Sequence, residues 1–540
     1  MPMQADYVIV GAGSAGCVLA NRLTDDPTTR VILIEAGGRD WNPLIHIPVG
    51  YMKLLDHKQL TWRFKAEADH GTNGRAIAYP RGRVLGGSSS INGLIYIRSQ
   101  PEDYDYWAQL GNRGWGWDDV LPFFKRAERW TGEAAEIHGT EGHLTTSPMT
   151  ESPEACHAII QAAQELGLEY QPDVNNLPRG AGDSIGWCEQ TRGGRRRASA
   201  AATYLRRAKR RPNLRIVTNA LVHRVLLDGK RAVGVEFSRQ STVERIEATR
   251  EVILSAGAIG SPHLLQLSGV GAPEVLQKAG IAVQHALRGV GQNFQDHYIA
   301  RISCYVRDLD TLNERARGLG FANEVMRYIV QGKGMMTFGA SLCAASVKVL
   351  PESATPDVQC VFAPASYKPG LIRRLDDRPG ITGGPWQMRP LSRGYVLART
   401  PNPHDQPAIN PRYLAEETDQ RAMVGGLKFL RRLFAMPALA KHIIEENVPG
   451  PGVQSDEELL DYARSSGSTV YHASCSCMMG NHSMSVVDDQ LRVHGIEALR
   501  VIDASVMPAV SSTNTNAPTI MIAEKGAAMI KAGTQERLAA

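Results

Sequence analysis

The sequence predicts an α/β protein: a Rossmann-like nucleotide-binding domain assembled from discontinuous segments, plus a second domain with an antiparallel sheet flanked by helices. Three observations predict it. A β-branched run enters a glycine-rich turn near the amino end, a second apolar run ends in an acid, and glycine-rich motifs recur far downstream between long stretches that lack them.

The first run is Tyr7-Val8-Ile9-Val10, followed by Gly11-Ala12-Gly13-Ser14-Ala15-Gly16 and then by the small and apolar residues 17–23. That order reads as strand, tight turn and packed helix. Val31-Ile32-Leu33-Ile34 forms the next strand and ends at Glu35, 19 residues beyond Gly16. Gly11 permits the turn, Gly13 lets backbone approach a pyrophosphate, and Gly16 lets the helix pack closely on the strand. The helix N-terminus then faces the phosphate charge. Glu35 can accept hydrogen bonds from both ribose hydroxyls, which favours FAD or NAD over a 2′-phosphorylated cofactor. The fingerprint alone does not separate a tightly bound FAD from a diffusing NAD.

Length and composition fit this reading. At about 150 residues per domain, 540 residues allow two to four domains. With 43% hydrophobic and 21% charged residues the chain is an ordinary folded protein, and a net charge of +5 does not indicate a nucleic-acid binder. The arginine clusters at residues 192–197 and 206–211 read as solvated faces or helix ends. Eight cysteines without a regular framework read as reduced thiols. No run approaches the roughly 18 apolar residues of a membrane span, and residues 1–6 lack the features of a signal peptide. The expectation is a cytoplasmic protein, with peripheral membrane association left open.

Residues 81–92, Arg-Gly-Arg-Val-Leu-Gly-Gly-Ser-Ser-Ser-Ile-Asn, offer many backbone N–H groups and hydroxyls, as needed to grip a diphosphate and the polar edge of a ring. This segment, following the amino-terminal GAGSAG, resembles the glucose-methanol-choline (GMC) flavin oxidoreductases. The resemblance continues in Ser255-Ala256-Gly257-Ala258-Ile259-Gly260-Ser261-Pro262, in residues 267–271, in Gly289-Val290-Gly291-Gln292-Asn293 leading to Asp296-His297, in residues 500–508 and in residues 514–519. Within the family the chain is similar to the bacterial alcohol and choline dehydrogenase-like branch, and residues 43–48 resemble L-sorbose dehydrogenases locally.

The resemblance implies FAD along Gly11, Gly13, Ser14, Ala15 and Gly16, with Glu35 and Ala36 on the adenosine ribose. It implies that Arg83, Val84, Gly86, Gly87, Ser88, Asn92, Gly93, Leu94 and Ile95 lie near the diphosphate and flavin. Val222 would meet the adenine end, Ala256 and Gly257 would contact the cofactor, and Asp503 and Ala504 would close over the diphosphate and ribityl chain. Asn514, Thr515 and Asn516 complete the implied set. Some relatives attach FAD through a histidine in the glycine-serine segment; Ile91 stands there, so a noncovalent flavin is expected.

The same resemblance assigns the chemistry. Val470-Tyr471-His472 carries the position of the active-site histidine, and Asn514 that of its partner. Hydride leaves a carbinol readily only if the hydroxyl proton leaves, and histidine accepts that proton near neutral pH. His472 is the expected general base, with hydride passing to flavin N5 and Asn514 donating a hydrogen bond to the substrate oxygen. The expected function is oxidation of a primary alcohol or polyol to an aldehyde or ketone, the electrons passing to a quinone-type acceptor or oxygen, with a dehydrogenase favoured over an oxidase. The alternatives are a hydroxynitrile lyase-like protein that uses FAD structurally and an FAD-binding protein without catalysis. Residues 473–478, Ala-Ser-Cys-Ser-Cys-Met, depart from the family's commoner Pro, small residue, Gly, Thr after the histidine. The CxC spacing of Cys475 and Cys477 has no second pair, so no metal is expected.

The expected organisation is an FAD domain from residues 1–144, 198–300 and 468–540, and a substrate domain from 145–197 and 301–467. Strand character at residues 347–350, 358–363 and 394–399 predicts the antiparallel sheet, residues 364–390 a long loop, and residues 521–530 a helix on the nucleotide domain. Trp62, Phe64 and Trp386 are candidates for an aromatic entrance. The oligomeric state is left open.

Overall fold

The computed structural model describes residues 3–240, 242–368 and 371–539. The first predicted strand runs over Met3–Val10 and the second over Val31–Glu35, every residue of the second being buried. Both belong to a seven-stranded sheet ordered Leu214–Thr218, Val31–Glu35, Met3–Val10, Thr242–Leu254, Arg231–Arg239, Ala220–Asp228, with Leu499–Val501 pairing with the end of Thr242–Leu254. The first four strands of that order are mutually parallel. Strands covered on both faces need apolar side chains throughout, which is why residues 7–10 and 31–34 read as unbroken apolar runs.

The helix Ser14–Leu23 is buried from Ala15 onward and packs on this sheet and on Asn516–Ala539, the helix that contains predicted residues 521–530. A buried two-pronged ion pair joins them: Arg22 Nη2 and Nε lie 2.8 Å from Glu524 Oε1 and Oε2. The Tyr204 hydroxyl donates to the same carboxylate at 2.7 Å. Among the described residues no helix is long and apolar enough to cross a membrane.

A second seven-stranded sheet is ordered Ile443–Val448, Ile302–Val306, Gly380–Gln387, Val358–Ala363, Cys343–Val347, Ser184–Trp187, Glu169–Gln171. It is antiparallel except at its last pair. The strand expected at 358–363 is in place, and the one expected at 347–350 lies slightly earlier. Residues 394–399 hold the expected strand, Tyr395–Leu397, but outside the main sheet: it pairs antiparallel with Ala408–Asn410 in a separate ribbon.

Residues 364–390 are a correction, because they hold Gly380–Gln387, a strand buried along its whole length. The glycines that give this segment its loop-like composition serve packing: a Cβ on Gly383 would fall 2.8 Å from Leu430 Cδ2 on the covering helix Glu417–Phe434. Pro385 lies beyond the pairing with Ile302–Val306, which stops at Gly383, so its missing N–H breaks no ladder on that side.

The basic clusters also divide. Arg206 and Arg207 are exposed on the short helix Arg206–Ala208, as expected. Arg192 and Arg197 are buried instead, and Arg197 donates to Ile45 O at 2.9 Å and Asn92 Oδ1 at 2.5 Å. A separate buried charge network involves a further arginine, Arg98. Arg98 and His138 both bond to Glu128, His138 Nε2 lies 3.0 Å from Asp173 Oδ2, and Asn175 donates to Glu189 Oε2 at 2.9 Å. These bonds tie the chain at residues 96–98 to the segments at 128–138 and 173–189.

Candidate active site

A cavity of about 1050 Å³ runs from the carboxyl ends of the parallel strands, at Val10 and Ile34, to the second sheet at Phe362, Thr382 and Trp386. The volume sits near the upper end of small-molecule sites, roughly 300–1,000 Å³. Of the residues expected around FAD, all line it except Gly16, Arg83, Val84 and Gly86.

Those four act from behind. A Cβ on Gly16 would lie 1.9 Å from Gly11 O, so its absence sets the helix against the turn. Gly86, at φ +89°, donates its N–H to Ala12 O at 2.7 Å, and Val84 is fully buried with Ile45, Leu54 and Ile91. The Arg83 guanidinium lies 4.8 Å from the Trp62 ring centre.

The two glycine segments interlock. Gly11 takes φ +98° and a Cβ there would meet Ser255 O at 2.5 Å; a Cβ on Gly87 would fall 2.7 Å from Gly13 Cα. Gly13 itself faces open space, its nearest would-be contact being Ser255 O at 4.0 Å. It is also the N-cap of Ser14–Leu23 and offers no side-chain cap, so the helix N–H groups are directed at the cavity. The residues fit a dinucleotide phosphate at this point.

Glu35 accepts from the N–H of Ala12 at 2.9 Å and of Gly37 at 2.8 Å, and burial raises its pKa to about 7. Two carboxylate oxygens retain acceptor capacity for hydroxyls beyond these bonds. Asp503 is buried, which raises its pKa; it accepts from Gly257 N–H at 2.8 Å, the Ser261 hydroxyl at 2.6 Å and Ser505 N–H at 2.8 Å. Ser14 donates to Asn516 Oδ1 at 2.7 Å, joining the N-termini of the two packed helices.

At the other end, one chain of hydrogen bonds fixes the state of His472. His297 Nε2 lies 2.9 Å from Met388 O, His297 Nδ1 lies 2.8 Å from His472 Nδ1, and His472 Nε2 lies 2.9 Å from Asn514 Nδ2. A carbonyl only accepts, so the His297 proton sits on Nε2 and its Nδ1 is a lone pair. His472 therefore donates from Nδ1, and its Nε2 is the free lone pair that accepts from the Asn514 amide. Burial, then the neighbouring His297 and Arg81, hold the His472 pKa well below 6.5; burial lowers His297 to about 4. Both rings are neutral at pH 7.

The backbone holds the ring in place. His472 N–H donates to Asp296 Oδ1 at 2.7 Å, while the Thr469 and Tyr413 hydroxyls donate to Asp296 Oδ2. Trp386 packs against both imidazoles, with ring centres 5.8 Å from His472 and 6.0 Å from His297. Tyr471 at φ +68° and Cys475 at φ +70° bend the chain on either side, a strained geometry for residues other than glycine. Cys475 and Cys477 are buried.

The geometry alters one expected detail. The Asn514 amide donates to His472 rather than pointing only at substrate, and its Oδ1 is buried without a partner among the described residues. A substrate hydroxyl other than the reacting one would satisfy that acceptor. Trp62, Phe64 and Trp386 all line the cavity, with Trp62 and Phe64 stacked at 5.6 Å. Sequence reasoning attached no role to His297, which lies 175 residues from His472. The Asp296-His297 pair inside a recognised motif was the available signal.

Residues 5–299 match the amino-terminal profile of the GMC oxidoreductases and residues 390–523 the carboxyl-terminal one. The chain belongs to the GMC oxidoreductase family. This GMC oxidoreductase is 40% identical to the alcohol dehydrogenase [acceptor] of Pseudomonas putida, over 97% of this chain and 95% of that one. It is 40% identical to human mitochondrial choline dehydrogenase, over 97% and 89% of the two chains. Among solved structures it is similar to pyridoxine 4-oxidase from Mesorbium loti, with a TM-score of 0.85 and 29% identity over 97% of this chain and 98% of that one. Formate oxidase superposes with a TM-score of 0.92 at 25% identity, over 99% of both chains. The protein is an FAD-dependent oxidoreductase that acts on CH–OH donors.

Proposed function

We propose that this GMC oxidoreductase oxidises a primary alcohol or polyol to an aldehyde or ketone, with His472 as general base and a quinone-type carrier as electron acceptor. The observation that carries the base assignment is the hydrogen-bond chain from Met388 O through His297, which leaves His472 Nε2 the unprotonated, accepting nitrogen at the cavity. The carbinol hydroxyl replaces the Asn514 amide at that nitrogen or shares it, and donates its proton there. The second Asn514 N–H orients the carbinol oxygen. Trp386, itself buried, packs edge-to-face on the His472 ring and keeps that side of the imidazole from solvent. Bound FAD supplies the hydride acceptor. Burial disfavours the imidazolium formed in this step, so the proton is readily passed on and the neutral base restored.

The cofactor contacts in this reading are those set out from the sequence, with Gly16, Val84 and Gly86 shaping the turns. The flavin is held noncovalently, since Ile91 offers no nucleophile where it lines the cavity. The division into an FAD domain (1–144, 198–300, 468–540) and a substrate domain (145–197, 301–467) is supported by the two sheets, whose strands fall in those segments respectively. The substrate class, and a dehydrogenase over an oxidase, draw support from the relatives named alcohol dehydrogenase [acceptor] and choline dehydrogenase.

Anaerobic mixing with a panel of alcohols and polyols tests the function. Bleaching of the flavin band by one class supports it, and a yellow protein that no alcohol bleaches overturns it. His472→Ala is expected to slow bleaching by at least about 10²-fold; an unchanged rate removes His472 from the role of base.

A further inference from the structure

Four arginines line the cavity: Arg63, Arg81, Arg301 and Arg374. Arg63 and Arg374 are exposed, and Arg81 donates to Tyr471 O at 2.7 Å. Arg301 differs from all of these. Among the described residues its guanidinium makes no hydrogen bond and no ion pair. The groups that act on its charge are the phenols of Tyr471, Tyr367, Tyr462 and Tyr51, and burial pulls its pKa below the ordinary arginine value.

Its place in the chain puts it on the substrate side. Tyr298–Ile299 pairs antiparallel with Ser468–Thr469, the strand that leads to His472. Along an extended chain His297, Ile299 and Arg301 share one face. His297 touches His472, and Ile299 and Arg301 line the cavity. Four extended residues separate His297 from Arg301, about 13 Å along the strand.

Among the described residues no acidic side chain forms an ion pair with this cation. Of the carboxylates that line the cavity, Glu35 and Asp503 hold backbone N–H groups at the nucleotide end, and Asp56 and Asp405 are exposed. Arg301 is half-buried at the cavity, and a cation placed there without a counter-ion is a ready partner for an anion. One planar fork of donors matches a carboxylate.

We propose that Arg301 binds a carboxylate on the substrate, so that the preferred substrates are alcohols with an anionic end remote from the carbinol. The inference rests on the alcohol-oxidation reading above. Its step is the same: the carbinol carbon loses a hydride, the hydroxyl loses a proton to His472, and the carboxylate leaves unchanged on the aldehyde.

The test measures binding apart from turnover. Calorimetry on the FAD-loaded protein compares unreactive 4-methylbenzoate with its neutral isostere 4-methylbenzamide, in wild type, R301Q and R301K. Wild type is expected to prefer the acid, R301Q to weaken the acid about 10- to 100-fold with the amide unchanged, and R301K to recover part of the loss. Anaerobic bleaching should follow the same order with 4-(hydroxymethyl)benzoate and 4-(hydroxymethyl)benzamide. Equal binding of acid and amide by wild type, a preference that survives R301Q, or tighter binding of phenyl phosphate than of 4-methylbenzoate overturns the proposal. If the acid binds through Arg301 but no alcohol bleaches the flavin, the anion site stands and the alcohol-oxidation reading fails.

Discussion

His297 Nδ1 lies 2.8 Å from His472 Nδ1, and that contact determines which nitrogen of His472 can take a proton. With Met388 O accepting from the far side of His297, the only consistent placement of protons leaves His472 Nε2 unprotonated at the cavity, where it accepts from the Asn514 amide. A ring acting as a base is thus poised by a second ring that never meets the substrate.

His297→Ala should release this constraint. His472 could then carry its proton on Nε2, the tautomer that cannot act as base, and the alcohol-dependent bleaching rate is expected to fall about 5- to 100-fold. His297→Asn, whose side-chain oxygen can still accept from Nδ1–H, should recover part of the loss. An alanine variant with the wild-type rate and pH profile would show that His297 does not position the base.

The pH profile carries a second expectation. Because burial first, and His297 and Arg81 after it, hold the His472 pKa well below 6.5, the base stays neutral in mildly acidic solution. The rate of bleaching should show no acid limb near pH 6.5. A limb centred there would mean that His472 is solvated during turnover.

Stability should move the opposite way. A histidine with a depressed folded pKa resists protonation in the native state while the unfolded chain takes up the proton, so stability is lost as pH falls from 6.5 toward the folded value. For His297, lowered to about 4 by burial, the loss is roughly 3 kcal/mol once the pH is below 4. Urea midpoints from pH 7 to 4, compared between wild type and His297→Phe, measure this contribution; an unchanged pH slope in the variant counts against it.

The glycine turn separates fold from cofactor. Gly11→Ala forces φ +98° on a residue with a Cβ 2.5 Å from Ser255 O, and it should cost stability by about 1–3 kcal/mol or more. Gly13→Ala meets only open space in the protein, so melting of the apoprotein should be unchanged while FAD occupancy falls. Equal FAD content in Gly13→Ala and wild type would place the phosphates elsewhere.

In the charge network, Arg98 and Glu128 are both fully buried. Arg98→Met removes the guanidinium from the Glu128 carboxylate and leaves it with the His138 imidazole beside Glu189, and should cost about 3–5 kcal/mol in denaturant unfolding. A loss under 1 kcal/mol would indicate that Glu128 becomes protonated without penalty.

What the sequence determined by itself was local or motif-bound. Met3–Val10, the turn at Gly11 and Gly16, Val31–Glu35 and the carboxyl-terminal helix follow from sterics between near neighbours, because a positive φ, a β-branched run or a helical period is set within a few residues. His472 and Asn514 were legible through their motif positions. Only the tertiary structure decided the rest. Gly380–Gln387 composes like a loop, yet helix Glu417–Phe434 needs its bare backbone to approach, and no local pattern reports that demand. The tautomer of His472 depends on a ring 175 residues away, and the solitary charge of Arg301 depends on the absence of acids that only folding could have brought near. Hydrogen bonding and electrostatics act through space, so the state of a side chain is fixed by neighbours that the order of the chain does not name.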